Sequence, residues 1–426
     1  MILNSSLKEQ IHNIFISKKD TGINSVYIGY KYVNGVKTNE IGLVFGVNKK
    51  ILESDLPKDY ILPKQINLNG NNVKTDVVVT PEVKLMSCYP SGDPNITRLL
   101  SVPEAPTPLK GGMLIRQFPT GWVRDPINPN AYSFNVGTLG FFAKDNIDGR
   151  VVGVTNRHVA VYNGEIAGEA DLNQQLNNPD NTGEKITWIV DSQKYLPSAS
   201  ISAGVSFNTI AFEGIKRYTP FYYSQPNYTD SALIIPKLGY VDNNSYQVWQ
   251  PIDQPTYPTS LPFATTEELD GILISNPKVY CTGVTSGPIG WGTGNCSINI
   301  LGIGYSTVIS LNGKNTTWSD QITMQTPLGI TPLASGDSGS CVMADIGGVK
   351  KIIGLFFAGN NDFAVFNRID KVANEMNISA FTTPIDTSIP SLKLYSASLS
   401  EYGNSKTISV NGKTYYQSGL TKNIYT

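Results

Sequence analysis

Along this chain, apolar residues recur at helical spacing in only two places, and elsewhere they alternate over short runs broken by Gly, Asn and Pro. The first helical stretch follows Ser6-Leu7-Lys8-Glu9, which reads as a capping box, with Leu7, Ile11, Ile14 and Phe15 on one face. Two β-rich runs then flank Asn34-Gly35, one from Val26 to Val33 and one from Ile41 to Val47, which predicts a tight hairpin. Another turn at Asn69-Gly70 leads into Val77-Val78-Val79. The pattern dissolves around Pro90, Pro94, Pro103, Pro106 and Pro108. A small α+β module over residues 1–85 is therefore expected, followed by a Pro-containing linker over 86–110.

From Gly111 to about Phe381 the signal is many short strands separated by turn residues, as sandwiches and barrels require. The second helical stretch lies here, with Ile369, Val372, Ala373 and Met376 on one face behind Asn367 as a cap. A mainly β domain over 111–385 closed by a C-terminal helix is expected. Residues 386–426 form a Tyr-rich extension whose Asn411-Gly412 predicts one more hairpin.

Composition narrows the function classes. A chain of 426 residues with formal net charge −1 offers no global field for nucleic acid or an anionic membrane. The start, Met1 to Ser6, lacks a basic region followed by an apolar one, and no run approaches about 18 apolar residues. No Sec signal and no membrane span are expected, which points to a cytoplasmic or virion-associated protein. Cys88, Cys281, Cys296 and Cys341 have no CxxC spacing, and with two histidines a zinc site has few ligands to draw on. Cys281 and Cys296 would pair only if a hairpin joined them, and the missing signal favours reduced, buried thiols.

The sharpest local motif is Gly336-Asp337-Ser338-Gly339-Ser340. Flanking glycines let a chain turn tightly, expose a serine hydroxyl and admit a carbonyl group close to the backbone. In such a turn the amides of Gly336 and Ser338 can aim at one spot and hold an oxyanion. A plain polar turn between strands is the alternative. A serine nucleophile needs a base, and only His12 and His158 are available. His12 lies on the N-terminal helix as a surface or boundary residue, whereas His158 follows the strand-like run from Arg150 to Asn156 and emerges at its end. A core histidine remains the other reading of His158, given Val154 and Val159 beside it. The base in turn needs a carboxylate to fix its tautomer. Among the aspartates from Asp171 to Asp337, Asp230 stands out at the mouth of the apolar run from Ala232 to Ile235, without excluding the others.

Together, Thr155-Asn156-Arg157-His158-Val159, Asp230-Ser231-Ala232-Leu233 and Gly336-Asp337-Ser338-Gly339-Ser340 resemble the three triad motifs of the trypsin-like serine peptidases, in that family's order. Gly29 to Gly35, Thr75 to Val78, Gly137 to Gly140, Thr282 to Gly287 and Gly354 to Gly359 are similar to a subgroup related to the plant narrow-leaf protein and its bacterial and phage relatives. The resemblance implies a chymotrypsin-like double antiparallel β-barrel behind the α+β module, with His158 and Asp230 from one barrel and Ser338 from the other. Longer intervals between the motifs than in compact members imply loop insertions. Where members that accept basic side chains carry an aspartate, this chain has Pro332. With Phe357, Ala358 and Gly359 bordering the pocket, an apolar or small residue before the scissile bond is implied.

The implied activity is that of an endopeptidase acting on a protein or peptide substrate by acyl transfer. No metal or organic cofactor is called for. A noncatalytic assembly protein using the same fold as a scaffold, such as a phage virion component, is the competing reading. In it, the N-terminal module or the C-terminal extension would dock protein partners.

Overall fold

Alternation of apolar and polar residues becomes strand nearly everywhere in the computed structural model of the chain. The structure describes residues 4–18, 21–33, 36–85, 109–118, 136–160, 212–223, 225–236, 261–283, 285–290, 297–311, 314–329 and 331–381. Shorter described stretches are 123–124, 132–133, 187–190, 241–242, 245–246, 248, 400–402, 405–410 and 413–417.

Helix α1 (Ser5–Lys18) is followed by β1 (Ile23–Val33), β2 (Val36–Val47), β3 (Gln65–Leu68), β4 (Asn71–Val79) and β5 (Lys84–Leu85). Next come β6 (Leu114–Phe118), β7 (Val123–Arg124), β8 (Tyr132–Ser133), β9 (Val136–Thr138), β10 (Phe141–Asp145) and β11 (Val151–Thr155). The one-turn helix α2 (Arg157–Ala160) precedes β12 (Thr187–Val190), β13 (Phe212–Tyr218) and β14 (Ala232–Pro236). Two short helices follow, α3 (Thr266–Asp270) and α4 (Ile272–Ser275), and then β15 (Val279–Gly283), β16 (Gly287–Ile289), β17 (Asn299–Leu311) and β18 (Lys314–Gln325). Strands β19 (Cys341–Ile346), β20 (Val349–Gly359) and β21 (Ala364–Arg368) lead into α5 (Ile369–Met376) and β22 (Ile378–Ala380). The C-terminal extension holds β23 (Ser400–Tyr402), β24 (Ser405–Val410) and β25 (Lys413–Gln417), paired antiparallel in that order.

The chain is thus mainly β, built on two principal sheets. The larger runs β16-β15-β19-β20-β21-β18-β17-β1-β2-β4-β3, with β5 added to β20. The smaller runs β13-β14-β11-β10-β22. Neither closes on itself among the described residues. Strands of the first 85 residues are hydrogen-bonded into the larger sheet, where Ser25 faces Thr307 and Gly29 faces Gly302 across the β1–β17 pair. In the turn between β3 and β4, Asn69 and Gly70 have φ of 50° and 81°, the left-handed pair that a type I′ hairpin needs. Val33 pairs with Val36, although Asn34 and Gly35 between them lie outside the described residues, as does the Pro-containing stretch 86–108.

Helix α1 begins earlier than the Ser6–Glu9 pattern predicts. The Leu7 amide donates to Asn4 Oδ1 at 2.9 Å and the Lys8 amide to the Asn4 carbonyl, so Asn4 is the cap. Ser6 instead donates its hydroxyl to Asn69. A true capping box closes α3, where Thr265 and Glu268 satisfy one another's backbone amides. Leu7, Ile11 and Phe15 are buried as the periodicity requires. The helix is also clamped by charge. Lys8 reaches Asp270 at 2.7 Å and Asp320 at 3.5 Å, and the fully buried Arg368 reaches Asp270, Asp320 and Asp370. Such a buried set holds position because each charge meets an opposite one within hydrogen-bond reach.

Cys281 and Cys341 are buried free thiols, and burial pushes both well above the usual thiol range. Cys88 and Cys296 lie outside the described residues. No helix among the described residues is long and apolar enough to cross a membrane.

Candidate active site

His158 and Asp230 both belong to the smaller sheet. Strand β11 ends at Thr155 and α2 carries His158 just beyond it, while Asp230 lies two residues before β14, the neighbour of β11. The Asp230 carboxylate meets the His158 segment twice, with Oδ2 on the imidazole Nδ1 and Oδ1 accepting from the His158 amide at 3.1 Å. Asp230 is fully buried and His158 is 4% exposed.

The Asp230 backbone is fixed as firmly as its side chain. Its amide donates to Asn367 Oδ1 at 3.0 Å, and its carbonyl accepts from Asn156 Nδ2 at 2.7 Å. The Thr219 hydroxyl accepts from the amide of the next residue, Ser231, at 3.0 Å. The sequence pattern predicts Asn367 as a helix cap. Here α5 starts after Arg368 with no side-chain cap, and Asn367 points into the site instead, its Nδ2 donating to Gln321. Arg157, beside His158, is buried with its guanidinium over Phe221 at 4.3 Å and Tyr218 at 5.1 Å.

Ser338 comes from the larger sheet, in the loop before β19. Gly336 and Gly339 have φ of +96° and +95°, and a Cβ on Gly339 would lie 2.1 Å from the Thr138 carbonyl oxygen. Only glycine fits that second position. The amides of Gly336 and Ser338 donate to no protein acceptor among the described residues. The Ser338 hydroxyl donates to the Phe357 carbonyl at 3.4 Å, and the residue is fully buried.

Thr138 joins the two halves. Its amide donates to the Ser338 carbonyl at 2.7 Å, its hydroxyl donates to the Gly336 carbonyl at 3.1 Å, and its carbonyl accepts from the Thr155 hydroxyl at 2.8 Å. A Cβ placed on Gly137 would lie 2.4 Å from the Val159 side chain and 3.0 Å from the Ser338 carbonyl oxygen. The Ser338 loop and the segment that carries His158 are therefore neighbours across β9.

Asp337 anchors that loop from the other side. Its carboxylate accepts from the amides of Thr285 at 2.6 Å, Ser286 at 3.0 Å and Ala334 at 2.8 Å, and from the Ser286 hydroxyl at 2.5 Å. Burial pushes its carboxyl above the ordinary range while these donors pull it back down. Asp337→Ala leaves three amides and a hydroxyl facing a void. Each buried orphan costs about 1–3 kcal/mol, so unfolding free energy should fall by at least about 3 kcal/mol in chemical denaturation. A loss under about 1 kcal/mol would show that the loop holds without this anchor.

Of the residues expected to border a specificity pocket, Phe357 and Ala358 are fully buried, and Pro332 is buried a few residues before Ser338 in the chain. The Phe357 ring packs on Trp318 at 4.8 Å within an apolar cluster that also holds Tyr27, Val83, Phe221 and Phe363. The Thr331 amide donates to the Asn361 carbonyl, which ties the Pro332 segment to the end of β20. His12 is half-buried at the boundary, with Nδ1 2.6 Å from the Ser319 hydroxyl. No group of three or more potential metal ligands stands together among the described residues.

No family model and no curated protein matches the chain, so the likeness of its N-terminal part to the narrow-leaf group finds no support there. Among solved structures it is similar to a glutamic-acid-specific serine protease described as using a novel histidine triad in substrate binding, at TM-score 0.35 and 12% identity over 64% of this chain and 100% of that one. Thermobifida fusca protease A is similar at TM-score 0.32 and 11% identity, and Cellulomonas bogoriensis chymotrypsin at 0.32 and 13%, each over 64% of this chain and 98% of the other.

Proposed function

We propose that the chain is a serine endopeptidase in which Ser338 attacks the peptide carbonyl, His158 takes and returns the proton, and Asp230 orients the imidazole. The buried Asp230–His158 pair carries this reading. A carboxylate on Nδ1 holds the proton there and turns Nε2 into the basic nitrogen, and it stabilises the imidazolium that forms once the serine proton has moved. The amides of Gly336 and Ser338 would receive the oxyanion, and their lack of protein acceptors suits that duty. The acyl-enzyme on Ser338 Oγ is then hydrolysed by water, with His158 again as base. Pro332, Phe357, Ala358 and Gly359 supply no charge to a pocket, which favours an apolar or small residue before the scissile bond.

A second reading has its own observation. Ser338 is fully buried, as it would be in a noncatalytic scaffold that assembles with other proteins. A small alkyl fluorophosphonate separates the two, because it reacts only with an activated serine beside an oxyanion site. Stoichiometric labelling of the wild type at Ser338 is expected, with none in Ser338→Ala. A folded wild type that resists the probe leaves the scaffold reading standing.

A further inference from the structure

Strand β20 has two edges. One is covered by β21 from Gly354 to Gly359. The other is covered in sequence by several segments. Strand β19 pairs with it as far as Leu355, and then Phe356 exchanges hydrogen bonds with the backbone of Gly339 and Ser340. The Phe357 carbonyl next accepts from the Ser338 hydroxyl, and finally Ala358 and Gly359 pair antiparallel with Leu85 and Lys84 of β5. The short strand β5 is therefore the next backbone along that edge after the nucleophile.

An extended peptide binds a protein most readily by adding a strand to an open sheet edge, with main-chain hydrogen bonds giving affinity. Within the peptidase reading, the edge nearest Ser338 is the place where a substrate would lie, and Ala358–Gly359 is its continuation away from the nucleophile. The register of β5 runs toward Ser338, since Lys84 opposes Gly359 and Leu85 opposes Ala358, one position from Phe357. Its side chains hold it there. Val83 is buried in the apolar cluster that contains Phe357 and Ala358, Leu85 packs against the same cluster, and the Pro81 carbonyl accepts from Asn360 Nδ2 at 3.0 Å.

We infer that β5 is a resident intramolecular occupant of this Ala358–Gly359 edge, standing where an extended peptide substrate would otherwise pair. This inference rests on Ser338 being a working nucleophile. Substrate binding is then an exchange of one strand for another, and turnover of long peptides is limited by release of β5.

The test compares a reagent that needs the edge with one that does not. In the Lys84→Pro/Leu85→Pro variant, two residues lose their amide protons and cannot pair in a ladder. Its kcat/KM for an extended peptide substrate should rise at least tenfold, while labelling by the small alkyl fluorophosphonate changes less than twofold. Equal kcat/KM in variant and wild type, with labelling intact, overturns the inference and leaves the peptidase reading untouched. Labelling of neither protein removes the peptidase reading and this inference with it. Should the variant not fold, the wild type gives the answer by amide exchange. A peptidyl phosphonate on Ser338 should speed exchange across residues 83–85 at least tenfold, and an alkyl phosphonate should not. Unchanged protection in the peptidyl adduct overturns the inference.

Discussion

Replacing either Ser338 or His158 by Ala should lower peptide turnover by about a millionfold, and replacing both should lower it little further, because nucleophile and base act as one unit. Without the imidazole, the serine hydroxyl keeps its proton, and without the hydroxyl the imidazole has nothing to activate. In the proposed mechanism the Asp230–His158 pair would supply the geometry for this cooperation, and the amides of Gly336 and Ser338 would leave a residual rate through the oxyanion. Turnover per labelled site is the quantity to measure, with denaturant unfolding as the control for structure. His158→Ala retaining a tenth of wild-type turnover would transfer the base role elsewhere.

The second large effect concerns Asp230→Asn, with an expected loss in kcat of about ten-thousandfold. The amide can still accept from the His158 backbone through Oδ1, but it would turn its NH2 toward the imidazole Nδ1. The ring must then accept at Nδ1 and carry its proton on Nε2, the nitrogen that should be the base. Stability is expected to change less than activity, since Asn156 and Asn367 hold the Asp230 backbone and not its carboxylate. A kcat within tenfold of wild type would mean that His158 takes its orientation from its buried surroundings alone. A large loss of stability that tracked the loss of rate would make Asp230 a structural residue first.

The three segments proposed for the site attract attention in the sequence because their chemistry restricts residue type. A serine between glycines, a histidine at a strand end and an aspartate before an apolar run each stand out locally, and the structure joins His158 to Asp230. Supporting residues were not legible. Asn367 precedes an apolar helical face and so carries the signature of a cap, yet it accepts from an amide 137 positions away. Asp337 looks like a turn former until Thr285 and Ser286 are brought against it. Helix and hairpin positions followed from local periodicity, as at Leu7, Ile11 and Phe15 or at Asn69-Gly70. The β1–β17 pair and the parallel β2–β4 pair left no local mark, because strand partners chosen across long loops depend on which edges remain open.

The pairing of β1 with β17 also sets a clock for synthesis. Ser25 must wait for Thr307, and at ribosomal rates of about 5–20 residues per second the delay is on the order of tens of seconds. During that time β1 presents an unpaired edge, the kind of surface that invites association with other nascent chains. The same order of emergence has a protective side. Lys84 and Leu85 leave the ribosome long before Ser338, Ala358 and Gly359, so the edge beside Ser338 can be filled as soon as it exists. A newly made copy would then never expose a vacant edge beside its serine to the unfolded neighbours around it.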